Sequence, residues 1–415
     1  MRVTFICTIL LLSISNLSAQ VTLDDYRSAV IEYSHQIAIG KATINGSVAE
    51  LSRRRKGYLP MLTVERTATY QSDAEGRNWN WMMQPVITQP IYVGGATRAA
   101  VRQAELSLDI SQSNLEQTKR EVQYEAEVAY WSLSRAQIYQ QAIADYLAIV
   151  ASLEEIVARR FAEGYTSKSD LLQVESRLSD AQYQLSAAEQ SYLIALHHFN
   201  TLRGMKATEE VVLQNTILDS MIMPQRCTME DILRFNPEYR ASMAQKESAR
   251  WGIKAAGAKF LPNISLKVYG TMEPNRPHIA GGGTNYYGGA ILSLSSPIFH
   301  FRERRDAMNV ARSEHRISEL ATAELRDQLS LDESNGWTNL QNSYSRVKAT
   351  QRNLRIAQEN LNISTYAYNE GTATILDVLQ AQMSWLQIYT NTITAQYDYA
   401  IAIAAYLLIT NYGER

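Results

Sequence analysis

The sequence predicts a mainly α-helical chain with a smaller β component, made of two tandem repeats of long coiled helices and paired strands. Three observations lead to this prediction: an internal duplication, a sustained seven-residue spacing of apolar residues, and two pairs of short segments with strand character. A chain of 415 residues is also long enough for two or more ordinary domains.

The duplication appears as a constant offset of 207 residues between the halves from Pro90 onward. This offset pairs Pro90-Ile91-Tyr92 with Pro297-Ile298-Phe299, and Glu163-Gly164 with Glu370-Gly371. Self-similarity at a fixed offset indicates that one structural unit occurs twice. Each half is therefore expected to contain the same elements in the same order.

Long helices are predicted from residues 97–162, which contain neither proline nor glycine. Apolar residues recur there at every seventh position, which is typical of a helix packed along its whole length in a coiled coil. Such a helix is about 98 Å long at 1.5 Å per residue. The series comprises Val101, Leu108, Leu115, Val122, Ala129, Ala136, Ile143, Val150 and Val157.

The helix that follows each long helix carries a second apolar seam. Its members in the first repeat are Leu171, Val174, Leu178, Ala181, Leu185, Ala188, Tyr192, Ala195, Phe199 and Leu202. The same seam recurs 207 residues later, from Val378 to Ile409, with Thr392 as its polar member. The shared register in two copies predicts that both helices are packed against neighbours.

Two strand pairs are predicted between the helices. In the second pair, Ile264, Leu266 and Val268 alternate with polar residues, the period-two pattern of a one-sided strand. Each strand has about the 9–11 residues needed to cross a bilayer at a tilt. Aromatic residues lie near the strand ends, where barrels place aromatic girdles. Two soluble hairpins that cap a helical rod are an alternative on the strand pattern alone.

These patterns divide the chain into a leader, two repeats and a linker. Residues 1–19 are predicted to be a signal peptide, 20–205 the first repeat, 206–227 a linker or equatorial segment, and 228–415 the second repeat. Each repeat opens with a helix. The elements that follow in the first repeat are strands 61–71 and 79–90, long helix 97–162, tip turn 163–167 and helix 168–203. Those in the second are strands 263–273 and 285–296, long helix 301–369, tip turn 370–373 and helix 374–411.

The leader and the composition restrict the class of protein. Arg2, the apolar run 3–12 and a small residue at position 19 predict a secretory signal peptide. The apolar run is shorter than the ~20 residues of a spanning helix, which disfavours a membrane anchor. Cys227 is the only cysteine after the leader, so no internal disulfide is expected. The net charge of −2 argues against a nucleic-acid partner.

Membrane crossing, on this sequence, would use strands. No segment after the leader is expected to be apolar enough for a spanning helix, and four strands cannot close a barrel without an open edge in lipid. Three chains would supply twelve strands, which lies within the range of bacterial barrels. The prediction is therefore a trimeric twelve-stranded transmembrane β-barrel with a ring of coiled helices.

The duplicated order of elements resembles the TolC-like outer-membrane efflux duct family over nearly the whole mature chain. The specific elements are the repeated Leu59-Pro60 and Leu261-Pro262 strand starts, the strand exit at residues 90–95, and the paired turns near Gly164 and Gly371. The second strand exit departs from this pattern, since His300-Phe301-Arg302 replaces a glycine pair. The resemblance implies a homotrimer in the cell outer membrane, in contact with its lipid, whose long periplasmic extension is an α-helical barrel.

The resemblance also implies a passive duct that serves an inner-membrane pump through a periplasmic adaptor protein. In the family, acidic rings just after the second tip turn close the tunnel, and this motif falls on Asp377 and Gln380. Asp377 could instead be an acid favoured by the dipole of the first helical turn, as Asp170 is in the first half. The tip residues Arg160, Phe161, Gly164, Tyr368, Glu370 and Gly371 resemble the adaptor-docking surface. Phe161 and Tyr368 could equally be ordinary packing residues.

No cofactor, metal site or enzymatic activity is expected. The sequence lacks the H-E-x-x-H, G-x-S-x-G and P-loop motifs, and its six histidines form no ligand pattern. The alternative function from a different class is a non-transport trimeric coiled-coil protein of the envelope. The cargo of a duct cannot be inferred from these patterns.

Overall fold

The computed structural model describes residues 20–73, 76–274 and 283–410. The predicted signal peptide lies outside the described residues. Contacts divide the described chain into two compact units. Unit 1 contains 20–34, Glu121–Arg226 and Asn335–Leu408, and unit 2 contains most of the remainder. The units do not coincide with the sequence repeats, because each long helix runs through both of them.

Within the described residues, each repeat contributes four α-helices and two strands. The first repeat has α1 (Leu23–Tyr33), α2 (His35–Arg55), β1 (Met61–Asp73), β2 (Gly76–Val93), α3 (Ala96–Ala162) and α4 (Lys168–Leu202). The second has α5 (Met229–Phe235), α6 (Pro237–Ala258), β3 (Asn263–Pro274), β4 (Thr284–Ser295), α7 (Glu303–Asn369) and α8 (Ile375–Thr410). This mainly helical architecture with four antiparallel strands confirms the predicted fold class.

The opening helix of each repeat is split in two, where the sequence pattern predicts one helix. Asn236 has an extended backbone and caps α6, whose first residue is Pro237. The pyrrolidine ring excludes the helical conformation at the preceding residue, so the helix must break there. In the first repeat Ser34 breaks the helix with ψ 118°, and no proline marks the position.

Unit 1 is held together by the predicted seams. None of the ten seam residues on α4, and none of the ten on α8, is exposed. In one part of this core, Ala395, Tyr399 and Tyr406 of α8 pack against Leu340 and Val347 of α7. Burial of apolar surface at about 25 cal/mol per Å² is the main force that stabilises such an interface.

Helix α8 corrects one expectation from the sequence. Among the described residues it is long and apolar enough to cross a membrane, with a mean hydropathy of 1.2 in its most apolar window. The expectation that no segment after the leader reaches this level is therefore wrong. In this fold the apolar residues of α8 contribute to the protein core, since 44% of that window is buried inside the protein.

Unit 2 contains one antiparallel sheet in the order β1-β2-β3-β4, so β1 and β4 form its two edges. The register places Leu62 opposite Ile87, Ile87 opposite Val268, and Leu266 opposite Leu292. Directly opposed residues of an antiparallel pair share one face of the sheet. One sheet face is consequently apolar across all four strands.

The opposite face of the sheet is mostly polar. It includes Thr63, Glu65, Thr67, Thr69, Asn80, Gln84, Thr88, Ser265, Lys267, Thr271 and Ser293. Gln84 donates a hydrogen bond to Thr271 Oγ1 at 3.0 Å, and Thr271 is only 3% exposed. By contrast, Leu292 and Leu294 on the apolar face are 68% and 70% exposed. A water-soluble sheet would pack such an apolar face against a core.

Candidate tip aperture and docking surface

The two tip turns of unit 1 have the same backbone design. Gly164 and Gly371 have φ angles of +81° and +75°, a region that L-residues rarely adopt. The amide of Tyr165 donates to the carbonyl of Arg160, and the amide of Thr372 donates to that of Ala367. This is the Schellman pattern, in which a left-handed glycine satisfies the last carbonyls of a helix. The glycines therefore end α3 and α7 at equivalent positions.

The helices that follow the turns are capped in the same way. Asp170 receives hydrogen bonds from the Thr166 hydroxyl and the Ser167 amide, and its own amide donates to Ser167 Oγ. Asp377 receives bonds from the Thr374 amide and hydroxyl at 2.8 and 2.7 Å. Such reciprocal bonds satisfy the first amides of a helix. Both carboxylates therefore have a structural role within one chain.

These hydrogen bonds also fix the charge of the two carboxylates. Bonds from Thr374 hold the pKa of Asp377 below its ordinary value of 3.8, and those from Thr166 and Ser167 do the same for Asp170. A donor that favours the ionised form lowers the pKa. Both groups stay charged at neutral pH. Their caps stabilise the protein above the unfolded pKa, and this stabilisation is lost as the pH falls through the folded value.

The predicted aperture residues lie on the exposed side of α8. Asp377 and Gln380 are both exposed and three residues apart, so they share a helix face. Both bonds from Thr374 end on Oδ2 of Asp377. Gln380 lines a groove of about 940 Å³ between α4 and α8 in which the apolar lining residues are Leu172, Leu376, Leu379 and Met383.

Arg160 connects the two tip turns. Its guanidinium donates to the carbonyls of Tyr368 and Asn369 at 3.2 and 2.8 Å, and its Cζ lies 4.8 Å from the centroid of the Tyr368 ring. The planar fork thus satisfies two terminal carbonyls of α7 while it stacks on an aromatic face. Arg160 is therefore a structural clamp between the repeats.

The other predicted docking residues differ in their accessibility. Tyr368 is 6% exposed and packs in a core cluster with Leu153, Val157 and Ile375, so its ring does not form the surface. Phe161, its partner in the repeat, is 38% exposed. Comparison of the two repeats could not show which of the two rings is buried, because both positions carry an aromatic residue.

Tyr165 is a surface residue at the tip that the sequence patterns did not predict. It directly follows the positive-φ glycine of the first turn and is 81% exposed. The matching position in the second turn is Thr372, so the duplication gave no signal there. Exposed aromatic rings at the tips therefore include Phe161 and Tyr165 at the first turn and Tyr366, which is 68% exposed, in the last turn of α7.

The Arg160 clamp yields a local stability prediction. Arg160→Gln removes both hydrogen bonds to the end of α7. Hydrogen bonds to a charged group contribute about 1.5–3 kcal/mol, so amide hydrogen exchange at residues 366–374 should accelerate about tenfold or more. Arg159→Gln is the matched control, because Arg159 is the neighbouring residue and pairs with Glu155 of the same helix on an exposed surface. Equal acceleration in both variants would show that Arg160 does not hold the tips together.

No group of three or more His, Cys, Asp or Glu side chains that could hold a metal ion occurs among the described residues. The tips are thus a site of helix ends, aromatic surface and single carboxylates. Such an arrangement can bind a helical partner or line an opening.

Comparison with known proteins decides the family. The profile described as "Outer membrane efflux protein" matches residues 26–204 and 228–410, one match for each repeat. The chain belongs to the outer membrane efflux protein family. Family membership supports a location in the outer membrane and a role in transport.

Relatives of this efflux-family protein match most of its length at low identity, and a solved structure shares its fold. Nodulation protein T of Rhizobium leguminosarum bv. trifolii is 23% identical over 89% of this chain and 77% of its own. The outer membrane efflux protein BepC of Brucella suis is 21% identical over 94% of this chain and 82% of its own. The crystal structure of the outer membrane protein VceC from Vibrio cholerae superposes with a TM-score of 0.81 at 18% identity, covering 94% and 96% of the two chains.

Proposed function

We propose that this efflux-family protein is one protomer of a trimeric channel-tunnel, a passive exit duct of the outer membrane. Three chains close a twelve-stranded barrel in the membrane, and their coiled helices form a periplasmic α-barrel. The duct serves an inner-membrane pump through a periplasmic adaptor.

The observation that carries this proposal is the inverted sheet of unit 2. Its apolar face exposes leucine and aromatic side chains, its opposite face carries mainly polar side chains, and β1 and β4 form its two edges. A barrel in lipid requires an apolar outer face, a polar interior and paired edges. A soluble hairpin cap, by contrast, would bury its apolar face. The alternative of a non-transport coiled-coil protein does not account for this sheet.

Exposed apolar side chains on the helices of unit 1 support the oligomer. Leu172, Tyr183 and Ile194 of α4 are 53%, 77% and 61% exposed. They are spaced eleven residues apart, close to three helical turns, so they form one line along α4. On α7, Ile356 and Ile363 are also more than half exposed. Further copies of the chain would cover these surfaces.

The oligomer and the duct are tested together on detergent-solubilised protein. We expect a trimer by mass measurement, mixed helix and strand signals by circular dichroism, and discrete ion conductance in planar bilayers. A coiled-coil trimer without conductance would favour the non-transport alternative. A stable monomer that keeps its full strand content in lipid would contradict the proposed architecture.

We further infer that Asp377 and Gln380 of three chains surround the periplasmic aperture. Oδ2 of Asp377 is engaged in the helix cap, which leaves the second carboxylate oxygen for the ring. Three carboxylates around one axis would attract cations and raise their local concentration. Gln380 adds amide groups to the same face but no charge.

This aperture proposal predicts a selective effect of charge removal. Asp377→Asn should reduce cation preference and weaken block by a trivalent cation in single-channel recordings, because the ring loses three charges. Asp170→Asn is the matched control, since it removes the equivalent carboxylate from the equivalent cap of α4. A larger effect from Asp170→Asn, or none from Asp377→Asn, would move the constriction elsewhere.

The tip turns are proposed as the adaptor-docking surface. Phe161 and Tyr165 offer exposed aromatic rings, while Gly164, Glu370 and Gly371 shape the turns beside them. Arg160 and Tyr368 support this surface, because the contacts between them hold the two turns together. Aromatic anchors over a rigid base are typical of protein interfaces.

A further inference from the structure

A cavity of about 420 Å³ in unit 2 collects three basic side chains. Arg98 of α3, Lys254 of α6 and Arg304 of α7 all line it. None of the three forms an ion pair with a carboxylate of the described residues. All three residues are exposed, so their charges are accessible to a ligand that enters the cavity from solvent.

Trp251 provides an aromatic wall for this cavity and positions two of its cations. Lys254 Nζ lies 3.6 Å from the centre of the indole ring, and Arg98 Cζ lies 6.0 Å from it. The indole nitrogen donates to Glu247 Oε1 at 3.1 Å, which fixes the plane of the ring. Glu247 also pairs with Arg250. Both basic groups are thus held beside the ring, a favourable cation–π arrangement.

The backbone adds to the positive field. Gly94 has φ +62°, and a Cβ there would lie 2.4 Å from the carbonyl oxygen of Ala258, so only glycine fits between β2 and α6. Gly94 and Gly95 line the cavity and directly precede α3. The amino end of a helix carries a partial positive charge that favours anions.

We propose that this cavity binds a phosphate group. Two guanidinium groups and one ammonium suit a phosphate, which accepts bidentate bonds from arginine and point-charge contacts from lysine. Ile253, Leu261 and Met308 form an apolar wall of the same cavity. A ligand with a phosphate and an adjoining apolar part, as in a phospholipid, satisfies both surfaces.

The source of the phosphate follows from the position of β2, and this step rests on the proposed function. Strand β2 ends at Val93, one residue before the cavity. If the strands span the membrane, the cavity lies beside the headgroups of one leaflet, where basic residues contact anionic lipids. Soluble phosphate is the other source of the same chemistry.

The test measures binding to the full chain, purified in a neutral detergent, by isothermal titration calorimetry. The probes are dihexanoyl phosphatidylglycerol, dihexanoylglycerol without phosphate, and inorganic phosphate. The double variant Lys254→Gln/Arg304→Gln should raise the Kd for the phospholipid about tenfold or more, as expected for lost charge-assisted bonds. Lys259→Gln/Arg305→Gln is the matched control, because it removes two exposed charges from the same region outside the cavity.

The outcomes separate the possible ligands. Binding of the phospholipid that exceeds both other probes supports a lipid headgroup, and equal affinity for inorganic phosphate supports a soluble ligand. Equal loss in the cavity and control variants, or equal binding of dihexanoylglycerol, overturns the proposal. The assay needs no membrane, so a chain that binds phosphate but conducts no ions would refute the duct and leave the cavity standing.

Discussion

Ala395→Asp is expected to abolish trimer assembly. Ala395 is 1% exposed and packs among Leu340, Val347, Tyr399 and Tyr406 in the core of unit 1. A carboxylate at this position must either be buried with its charge or take up a proton, and both cost free energy on the order of several kcal/mol. Domains have only about 5–15 kcal/mol of net stability, so one such change is severe. The measurement is the yield of trimer in outer-membrane extracts.

Thr394→Asp is the control, because it adds the same carboxylate to α8 outside the core. Thr394 precedes Ala395 on the same helix turn but is exposed, so an added carboxylate there remains in water. Leu185→Asp should have an intermediate effect, because Leu185 is only half-buried on α4. Normal trimer yield from Ala395→Asp would show that this face of α8 is not part of a packed core.

Much of the fold could be predicted from sequence because its signals are local and repeated. A seven-residue apolar spacing without proline or glycine leaves one regular structure, a long packed helix. Glycines at 164 and 371 mark the ends of the two long helices, and both adopt positive φ. The duplication strengthens each weak signal, because the same pattern occurs at equivalent positions of both repeats.

Features that depend on fine geometry could not be predicted in the same way. No proline marks the helix break at Ser34. The φ angle of Ser34 is helical at −57°, and its ψ angle of 118° departs from the helical value. Tyr368 and Phe161 occupy matching repeat positions, but the Arg160 side chain covers the former alone. Burial of an aromatic side chain depends on neighbours that are distant in sequence, and spacing patterns do not contain this information.

The candidate site was the least predictable part of the chain. The acid at position 377 fits both an aperture and a helix cap, and the structure shows that it caps α8. Whether the same carboxylate also faces a pore depends on the symmetry of several chains. One sequence carries no direct signal of such an axis, whereas the cap arises from residues three positions apart.

The inverted sheet provides the sharpest test of the membrane proposal. Leu292 and Ser293 are neighbours on β4 and lie on opposite faces, with Leu292 opposite Leu266 and Ser293 opposite Ser265. Leu292→Lys places an ammonium group on the apolar face, three residues from the end of β4, where the expected cost lies between about 0–1 kcal/mol at the interface and about 2–4 kcal/mol at the midplane, and a trimer carries this cost three times. The variant should fail to insert, and it should be lost from the outer-membrane fraction while its precursor still accumulates.

Ser293→Lys is the matched control on the same strand. A lysine there adds the same charge and the same length of side chain, but it projects into the polar face beside Ser265 and Lys267, where water would solvate it. This variant should insert as a heat-modifiable trimer and shift conductance away from cations, because the lumen gains three positive charges. If Leu292→Lys inserted normally while Ser293→Lys failed, the two faces would be assigned the wrong way round. If both inserted normally, this part of β4 would lie outside the bilayer.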